Sequence, residues 1–224
     1  MDAGASSSRK RLIAYDLDGT LVDTAEDITG AVNAMLGQLS ASPLSKDEIR
    51  QCVGRGLHDL IGRCLNTNEP ERIRNGLDAF EAHYAAHLVD HSVLYPGVLE
   101  VLDYFQDRRQ AVFTNKPNPF ARDLLVALGV AERFCAILAG ADGHPRKPDP
   151  MALHELMRSQ GVGAGETLLV GDSVIDVETG RNAGVLTVIV AQGFEDPQAL
   201  QAASPDLLVT HFAQLLQVAK RHGW

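Results

Sequence analysis

Five short apolar segments are the feature that most restricts how this chain can fold. They lie at 12–15, 111–114, 136–139, 167–170 and 186–190. Each is continuous rather than alternating in polarity, which is typical of strands covered on both faces of a sheet. From Ala111 onward, helical patterns separate the segments, at about 119–128, 150–160 and 174–183, and a glycine follows each pattern. The alternation predicts an α/β fold, a parallel sheet wound with helices on its faces.

The interval between the first two strands breaks this rhythm, because it is far too long for one crossover connection. Three amphipathic stripes lie within it, at 25–39, 49–64 and 73–88. We therefore predict a helical domain over 24–93, inserted after the first strand. The core domain is predicted to comprise 11–23 and 94–224, with Pro96-Gly97 at the return to the core.

Composition excludes several classes of protein. The chain has 224 residues and a net charge of −9, which argues against nucleic acid or an anionic membrane as the main partner. No apolar run approaches the roughly 20 residues that span a bilayer. The three cysteines form no CxxC pair, so we expect free thiols in a reducing cytoplasm. Residues 1–10 are predicted to be a flexible tail, with the charges of Arg9-Lys10-Arg11 solvated.

Two carboxylates directly follow the first predicted strand, in the run Asp16-Leu17-Asp18-Gly19-Thr20. Residues i and i+2 of an extended chain point the same way, so Asp16 and Asp18 should project together. Open parallel sheets bind their ligands at this end of the strands. Because close carboxylates repel each other, either a cation lies between them or one is protonated. The structural alternative is an Asp-rich turn around Gly19.

Three further sets of polar residues follow predicted strands. Thr114 and Asn115 carry groups suited to phosphate oxygens, Lys147 lies in RKPDP where Pro148 and Pro150 restrict the backbone, and Asp172 and Asp176 follow the fourth strand. Each set has an ordinary structural explanation: a turn, a solvated lysine, or a helix N-cap. All four sets, however, follow strands of one parallel sheet and should therefore meet at one edge.

These residues identify a family. In their order and spacing, the four motifs DLDGT, Thr114-Asn115, RKPDP and Gly171-Asp172-Ser-x-x-Asp176 resemble those of the haloacid dehalogenase-like phosphotransferases over nearly the whole chain. The resemblance implies a Rossmann-like core with an inserted helical cap. Within the family the chain is most similar to the phosphoglycolate phosphatases, through DLDGTLVD, CVGRGL, YPGV and FTNKP.

The resemblance implies a mechanism for phosphomonoester hydrolysis. Asp16 is the nucleophile that forms an aspartyl phosphate, and Asp18 is the general acid and then the general base. A divalent ion is held by Asp16, the backbone carbonyl of Asp18 and Asp172. Oxygen ligands of this kind suit Mg²⁺.

The remaining motif residues have supporting roles by the same resemblance. Lys147 neutralises charge on the nucleophile and the phosphate, while Thr114 and Asn115 fix phosphate oxygens. Asp176 and Thr20 lie behind these groups, where Asp176 supports the metal or orients Lys147. The expected ligand is a small phosphate ester, most of all 2-phosphoglycolate, and the protein is expected to be a monomer or homodimer.

Residues outside the motifs raise further hypotheses. Gly54-Arg55-Gly56 resembles a cap loop that reaches the active site, with Arg55 meeting a substrate carboxylate. His83, His87 and His91 recur every four residues on one predicted helix, a spacing that can bind a transition metal, but a solvated flank is favoured. Lys116 and Arg181 are interpreted as surface residues.

Five alternatives differ in testable chemistry. A hydrolytic dehalogenase does not need Asp18, and a phosphonate hydrolase would use a cap lysine, for which 24–93 offers only Lys46 near a predicted helix start. A β-phosphoglucomutase-like mutase, or a phosphatase for another sugar phosphate, shares the core motifs and cap type. A non-catalytic binding protein on the same fold would show no phosphate release.

Overall fold

The computed structural model describes residues 9–140 and 143–224, which contain eight strands and ten α-helices. The strands are β1 (Leu12–Tyr15), β2 (Val22–Asp23), β3 (Val93–Leu94), β4 (Arg109–Pro117), β5 (Ala136–Gly140), β6 (Thr167–Gly171), β7 (Leu186–Val190) and β8 (Leu207–Val209). The helices are α1 (Ala25–Gln38), α2 (Lys46–Arg50), α3 (Leu57–Cys64), α4 (Pro70–Ala86), α5 (Val98–Tyr104), α6 (Phe120–Ala127), α7 (Met151–Gln160), α8 (Val174–Ala183), α9 (Pro197–Ala202) and α10 (Gln214–His222).

Six of the strands form one parallel sheet in the order β5-β4-β1-β6-β7-β8. β1 lies between β4 and β6, so Tyr15 is aligned with Val112 on one side and Val170 on the other. This register places the carboxyl ends of the three strands at one edge of the sheet. The residues that follow them are therefore brought together, as the motif positions predict.

The two faces of the sheet are both covered by helices. Alternate strand residues point to opposite faces, so Ile13 and Tyr15 belong to a core cluster with α5, α6 and α10, while Leu12 and Ala14 pack with α7. All four strand residues are fully buried. Burial on both faces explains why these segments carry no polar alternation, and the predicted α/β fold is confirmed.

Helices α1 to α4 form a separate hydrophobic cluster beyond the carboxyl edge of the sheet. Its buried residues include Met35, Ile61, Phe80 and Tyr84, and Phe120 of α6 joins it from the core. Two features tie this helical unit to the sheet. β2 pairs antiparallel with β3. The buried carboxylate of Asp27 accepts hydrogen bonds from the backbone N–H groups of 91 and 92.

Two local features differ from the sequence prediction. The second amphipathic stripe is divided into α2 and α3, because Gly54 (φ 115°) and Gly56 (φ 94°) take left-handed backbone conformations that cannot continue a helix. β4 extends to Pro117, three residues beyond the predicted strand end. The extension places Lys116 inside a strand, on the same side as Thr114.

The amino-terminal segment is only partly described. Residues 1–8 of the predicted tail lie outside the described residues. The prediction of solvated charges is wrong for Lys10, which is buried and donates a hydrogen bond from Nζ to the Gly165 carbonyl at 2.7 Å. Alternation along an extended chain directs Lys10 to the opposite side from Arg9 and Arg11, which are exposed.

Across the described ranges, none of the helices has both the length and the apolar character that crossing a membrane requires.

Candidate active site

A buried lysine lies at the centre of the carboxyl edge. Lys147 Nζ is 2.8 Å from Asp16 Oδ1 and 2.7 Å from Asp176 Oδ1, and the lysine side chain is 2% exposed. Burial lowers the pKa of Lys147, but the two carboxylates more than offset this and hold the pKa above its ordinary value. The ammonium group is therefore charged at neutral pH and fixes the orientation of Asp16.

Three buried carboxylates converge here. Ligand oxygens of Asp16, Asp172 and Asp176 lie within 4.8 Å of one another. Burial raises the pKa of Asp16 to about 6, although the Lys147 ammonium acts in the opposite direction. Burial, followed by the charges of Asp16 and Asp176, raises the pKa of Asp172 well above its usual range. One ammonium cannot neutralise three carboxylates, so the donor set fits a divalent cation that prefers oxygen ligands.

Asp172 is held by two loops that approach it closely. Thr20 Oγ1 donates to its Oδ1 at 3.0 Å, and the Phe194 N–H donates to its Oδ2 at 2.8 Å. A methyl group added at Gly193 would lie 2.0 Å from the same Oδ2. Ser173, rather than Asp172, is the N-cap of α8, so the carboxylate of Asp172 is not used as a helix cap. The two loops leave Asp172 a single orientation toward the cluster.

Asp18 has a different set of partners. Its Oδ1 accepts hydrogen bonds from Lys116 Nζ at 2.9 Å and from Thr24 Oγ1 at 2.8 Å. Lys116 Nζ also donates to the Tyr84 hydroxyl of α4 at 2.7 Å. The interpretation of Lys116 as a surface residue is wrong, since its side chain is 5% exposed. Arg181 is exposed, as expected.

Sequence reasoning missed Lys116 and Tyr84 for physical reasons that differ. Lys116 follows Thr114 by two residues. If the predicted strand had been extended to include Lys116, the alternation of side chains would have placed it on the same side as Thr114. Tyr84 was assigned only to an apolar helix face. Burial raises the pKa of Tyr84 to about 12, so its hydroxyl remains protonated while it accepts from Lys116.

Asn115 makes contacts unlike those that the resemblance implies. Its side-chain amide donates to the Gly54 carbonyl at 2.9 Å and to the Lys147 carbonyl at 3.1 Å, and its Oδ1 accepts from the Lys147 N–H at 2.8 Å. The side chain thus joins the Lys147 loop to the loop between α2 and α3. Thr114 is buried, and its Oγ1 accepts from the Lys116 N–H at 3.1 Å.

A cleft with about 80 Å³ of free volume lies between the sheet edge and the helical unit. Its polar lining includes Asp16, Asp18, Arg50, Thr114, Lys116 and Asp172, and its apolar lining includes Val53, Leu57, Leu60, Phe80, Phe120 and Phe194. The carboxylates and the Lys116 ammonium come from the sheet edge, and most of the apolar lining comes from the helical unit, which also contributes Arg50. The cleft suits a small anionic ligand.

The cleft is lined by Arg50 rather than by Arg55. Arg55 is exposed, although its neighbours Gly54 and Gly56 line the cleft. Arg50, the last residue of α2, donates from Nη2 to the Gly193 carbonyl at 2.6 Å, and its guanidinium lies 5.5 Å from the Phe194 ring centroid. The sequence did not indicate that Arg50 rather than Arg55 lines the cleft, because that outcome depends on the residue at which α2 ends.

The three histidines do not share one helix. α4 ends at Ala86, which leaves His87 at the C-cap and His91 beyond the helix. His83 and His87 stack with ring centroids 4.4 Å apart, and His87 Nδ1 lies 2.7 Å from Asp90. In the described residues, the group of side chains arranged for a metal ion is the aspartate cluster.

Comparison with known proteins agrees with this geometry. The sequence profile of the haloacid dehalogenase-like hydrolases matches residues 13–190, which is most of the chain. The chain belongs to the haloacid dehalogenase-like hydrolase family. A phosphoglycolate phosphatase of Vibrio parahaemolyticus is 34% identical over 219 residues, covering 93% of this chain and 95% of that protein. Another, of Pseudomonas fluorescens, is 35% identical over 217 residues, covering 92% and 78%.

Solved structures also match the fold of this chain. The crystal structure of a predicted phosphoglycolate phosphatase from Haemophilus somnus superposes with a TM-score of 0.90 at 27% sequence identity, covering 95% of this chain and 99% of that one. The chain belongs to the haloacid dehalogenase-like hydrolases and is similar over most of its length to phosphatases of that family. It is therefore a phosphatase.

Proposed function

We propose that the protein is a Mg²⁺-dependent phosphomonoester hydrolase that acts through an aspartyl phosphate on a small phosphorylated metabolite. The preferred substrate in this proposal is 2-phosphoglycolate. The observation that carries the proposal is the position of Asp16. One of its oxygens is held by Lys147, and the side chain lies among buried carboxylates at the floor of the cleft. This fixed, charge-compensated carboxylate is suited to attack a phosphorus atom.

The first half-reaction joins Asp16 to the phosphoryl group. A carboxylate oxygen of Asp16 attacks phosphorus, the bond from phosphorus to the ester oxygen breaks, and Asp18 gives its proton to the departing alkoxide. Lys147 and the Thr114 hydroxyl stabilise the charge on the phosphoryl oxygens. Both groups are buried at the carboxyl edge, so they need little reorganisation during the step.

The second half-reaction restores the enzyme. Asp18, now ionised, removes a proton from a water molecule, which attacks phosphorus and releases inorganic phosphate from Asp16. The Lys116 ammonium lies 2.9 Å from Asp18 Oδ1 and supplies a counter-charge beside it. The hydrogen bond from Thr24 keeps Asp18 oriented.

The metal site is proposed from the donor set. Asp16 and Asp172 would hold Mg²⁺ with the backbone carbonyl of Asp18, as the resemblance implies. Asp176 is completely buried and bonded to Lys147, so it orients the lysine and adds negative charge beside the ion. When bound, the ion supplies electrophilic stabilisation of the phosphoryl oxygens and offsets the repulsion between two anions.

The size and charge of the cleft support a small, carboxylate-bearing substrate. The cleft is small, about 80 Å³, which favours a small ester. Arg50 and Lys116 bring positive charge to the lining beyond Lys147. The 34–35% identical relatives from Vibrio and Pseudomonas are named phosphoglycolate phosphatases. We propose that Arg50 contacts the substrate carboxylate, in place of the exposed Arg55. Residues 24–93 would act as the cap that covers the bound substrate.

A substrate screen with matched variants tests this proposal. We expect Mg²⁺-dependent phosphate release with the highest kcat/KM for 2-phosphoglycolate. The Asp16→Asn variant should lose release entirely, and Asp18→Asn should lose about 10²–10⁴-fold in kcat. Asp78→Asn is the control, since that residue is exposed on α4. Normal turnover by Asp16→Asn would refute the mechanism, and interconversion of hexose phosphates without net release would indicate a mutase instead.

A cytoplasmic location is also proposed. Cys52, Cys64 and Cys135 are all free thiols, as proteins in reducing compartments usually have. Cell fractionation with a periplasmic marker enzyme tests it, and enrichment with that marker would contradict it.

A further inference from the structure

Four arginines meet at the amino edge of the sheet, at the opposite end of the strands from the active site. Arg9 and Arg11 precede β1, and Arg108 and Arg109 lie at the start of β4. The two strands are neighbours, and the Arg109 N–H donates to the Arg11 carbonyl at 3.0 Å. Together with Asp107, Gln106, Gln160 and Val162, these residues line a groove of about 560 Å³, called here the arginine groove.

The charge of the arginine groove contrasts with that of the whole protein. The chain has a net charge of −9. Among the described residues that line the groove, four guanidinium groups face one carboxylate, Asp107. Arg9 pairs with this carboxylate, and Arg11 pairs with the half-buried Glu166 at 3.1 Å. Both pairs are exposed to solvent, where ion pairs contribute little free energy and can be exchanged for a ligand.

Arg108 gives the groove unfilled hydrogen-bonding capacity. Its side chain is 10% exposed, and its guanidinium stacks over the Phe105 ring at 5.4 Å. Nε lies 3.3 Å from Asp107 Oδ1. Within the described parts of the chain, its buried Nε and Nη1 have no hydrogen-bond partner. Both atoms are covered by protein, so an oxyanion in the groove would pair with the exposed guanidinium groups of Arg11 and Arg109, and it would reach the Arg108 donors when that side chain turns outward.

We propose that the arginine groove binds an oligophosphate: inorganic pyrophosphate or the diphosphate group of a nucleotide. Guanidinium groups pair with phosphate through two parallel hydrogen bonds, and several guanidinium groups match a ligand with more than one phosphate. The volume of about 560 Å³ is within the range of small-molecule sites. The site lies at the other end of β1 and β4 from Asp16 and does not depend on the proposed function.

Calorimetric titration of the full-length protein in EDTA tests the site, with pyrophosphate and a nucleoside diphosphate as separate probes. We expect the Arg11→Gln/Arg109→Gln double variant to bind at least ten times more weakly than wild type. Both side chains are exposed, so the fold should persist. Arg108→Gln is a second variant, although it also removes the Phe105 contact. The control is Arg72→Gln/Arg74→Gln, two exposed arginines on α4.

The outcomes separate cleanly. Tighter binding of the nucleoside diphosphate supports the site and identifies a nucleotide as the ligand, while equal binding supports the site with pyrophosphate as the recognised group. Equal affinity for sulfate would overturn the oligophosphate assignment. The absence of any binding would overturn the site itself. Binding that survives in the double variant but disappears in Lys147→Met would place the ligand in the active site and also overturn the proposal.

Discussion

Lys116 Nζ lies 2.9 Å from Asp18 Oδ1, inside a site where the sequence suggested a solvent-facing lysine. The same ammonium donates to Tyr84 at 2.7 Å, so a residue of the inserted helical unit contacts the partner of Asp18. Burial lowers the pKa of Lys116, but the charge of Asp18 and the Tyr84 contact more than compensate and raise it above its usual value. The lysine thus stays charged, and Asp18 has a permanent counter-ion.

Replacing Lys116 with methionine should lower both stability and turnover. The change leaves Asp18, whose side chain is 12% exposed, without its counter-ion, and breaking a buried ion pair costs about 3–5 kcal/mol. The expected result is a lower Tm and a loss of about 10²–10⁴-fold in kcat, the range for acid–base catalysis. Thermal unfolding and phosphate-release kinetics measure the two effects. Lys220→Met, on the exposed side of α10, should change neither, and unaltered kcat in Lys116→Met would contradict the role.

Tyr84→Phe tests the contact that the helical unit makes with Lys116. Removing the hydroxyl leaves the aromatic packing with Phe80 and Phe120 but deletes one acceptor of Lys116. A single hydrogen bond contributes about 0.5–1.5 kcal/mol, so kcat should fall by up to about tenfold while the fold is retained. The matched control is Tyr104→Phe, whose hydroxyl donates to the Trp224 carbonyl at 3.4 Å. An equal effect of both changes on kcat would exclude a special role for Tyr84.

Gly193→Ala should weaken magnesium binding. The added methyl group would lie 2.0 Å from Asp172 Oδ2 and 2.3 Å from Asp172 Cβ, so the whole Asp172 side chain or the loop of Gly193 must shift and the aspartate cluster is disturbed. Displacing a metal ligand or its support typically costs about 10–100-fold in metal affinity. Titration of activity against Mg²⁺ concentration measures this. Gly30→Ala in α1, which has no atom within 4 Å of the new methyl, serves as control. Unchanged Mg²⁺ dependence in Gly193→Ala would count against Asp172 as a ligand.

The stabilisation by Mg²⁺ should increase with pH. The pKa of Asp16 is raised from 3.8 to about 6 in the folded, metal-free protein. A carboxyl group with a raised pKa contributes stability below about pH 4 that is lost as the pH rises through about 6. Mg²⁺ binds the ionised form, so the increase in Tm that it causes should be small near pH 5 and larger near pH 7.5. Thermal unfolding in EDTA and in Mg²⁺ tests this, and an increment independent of pH would disagree with it.

Arg50→Ala and Arg55→Ala should show which of the two arginines contacts the substrate carboxylate. Since Arg50 lines the cleft and Arg55 is exposed, Arg50→Ala should raise KM for 2-phosphoglycolate more than for a neutral aryl phosphate. Arg55→Ala should affect the two substrates equally. Steady-state kinetics on both esters provide the comparison. A selective effect of Arg55→Ala alone would show that the loop between α2 and α3 turns inward when substrate binds.

Local patterns in the sequence were sufficient for the fold and for much of the site. The absence of polar alternation within the strands indicates burial on both faces. The positions of Asp16, Lys147 and Asp172 after strands of a parallel sheet place them at one edge of it. These inferences need only short-range periodicity and the rule that parallel strands end together. The structure brings Lys147 within 2.8 Å of Asp16, as that rule requires.

Only the tertiary structure decided the partners of the remaining side chains. Lys116 is buried because β4 runs three residues further than predicted and α4 packs over its end, and Arg50 lines the cleft because α2 stops there. Asn115 bonds to two loops that are distant in sequence. Each outcome depends on how the inserted helices pack against the sheet. That packing is set by contacts between residues far apart in the chain, which local periodicity does not encode.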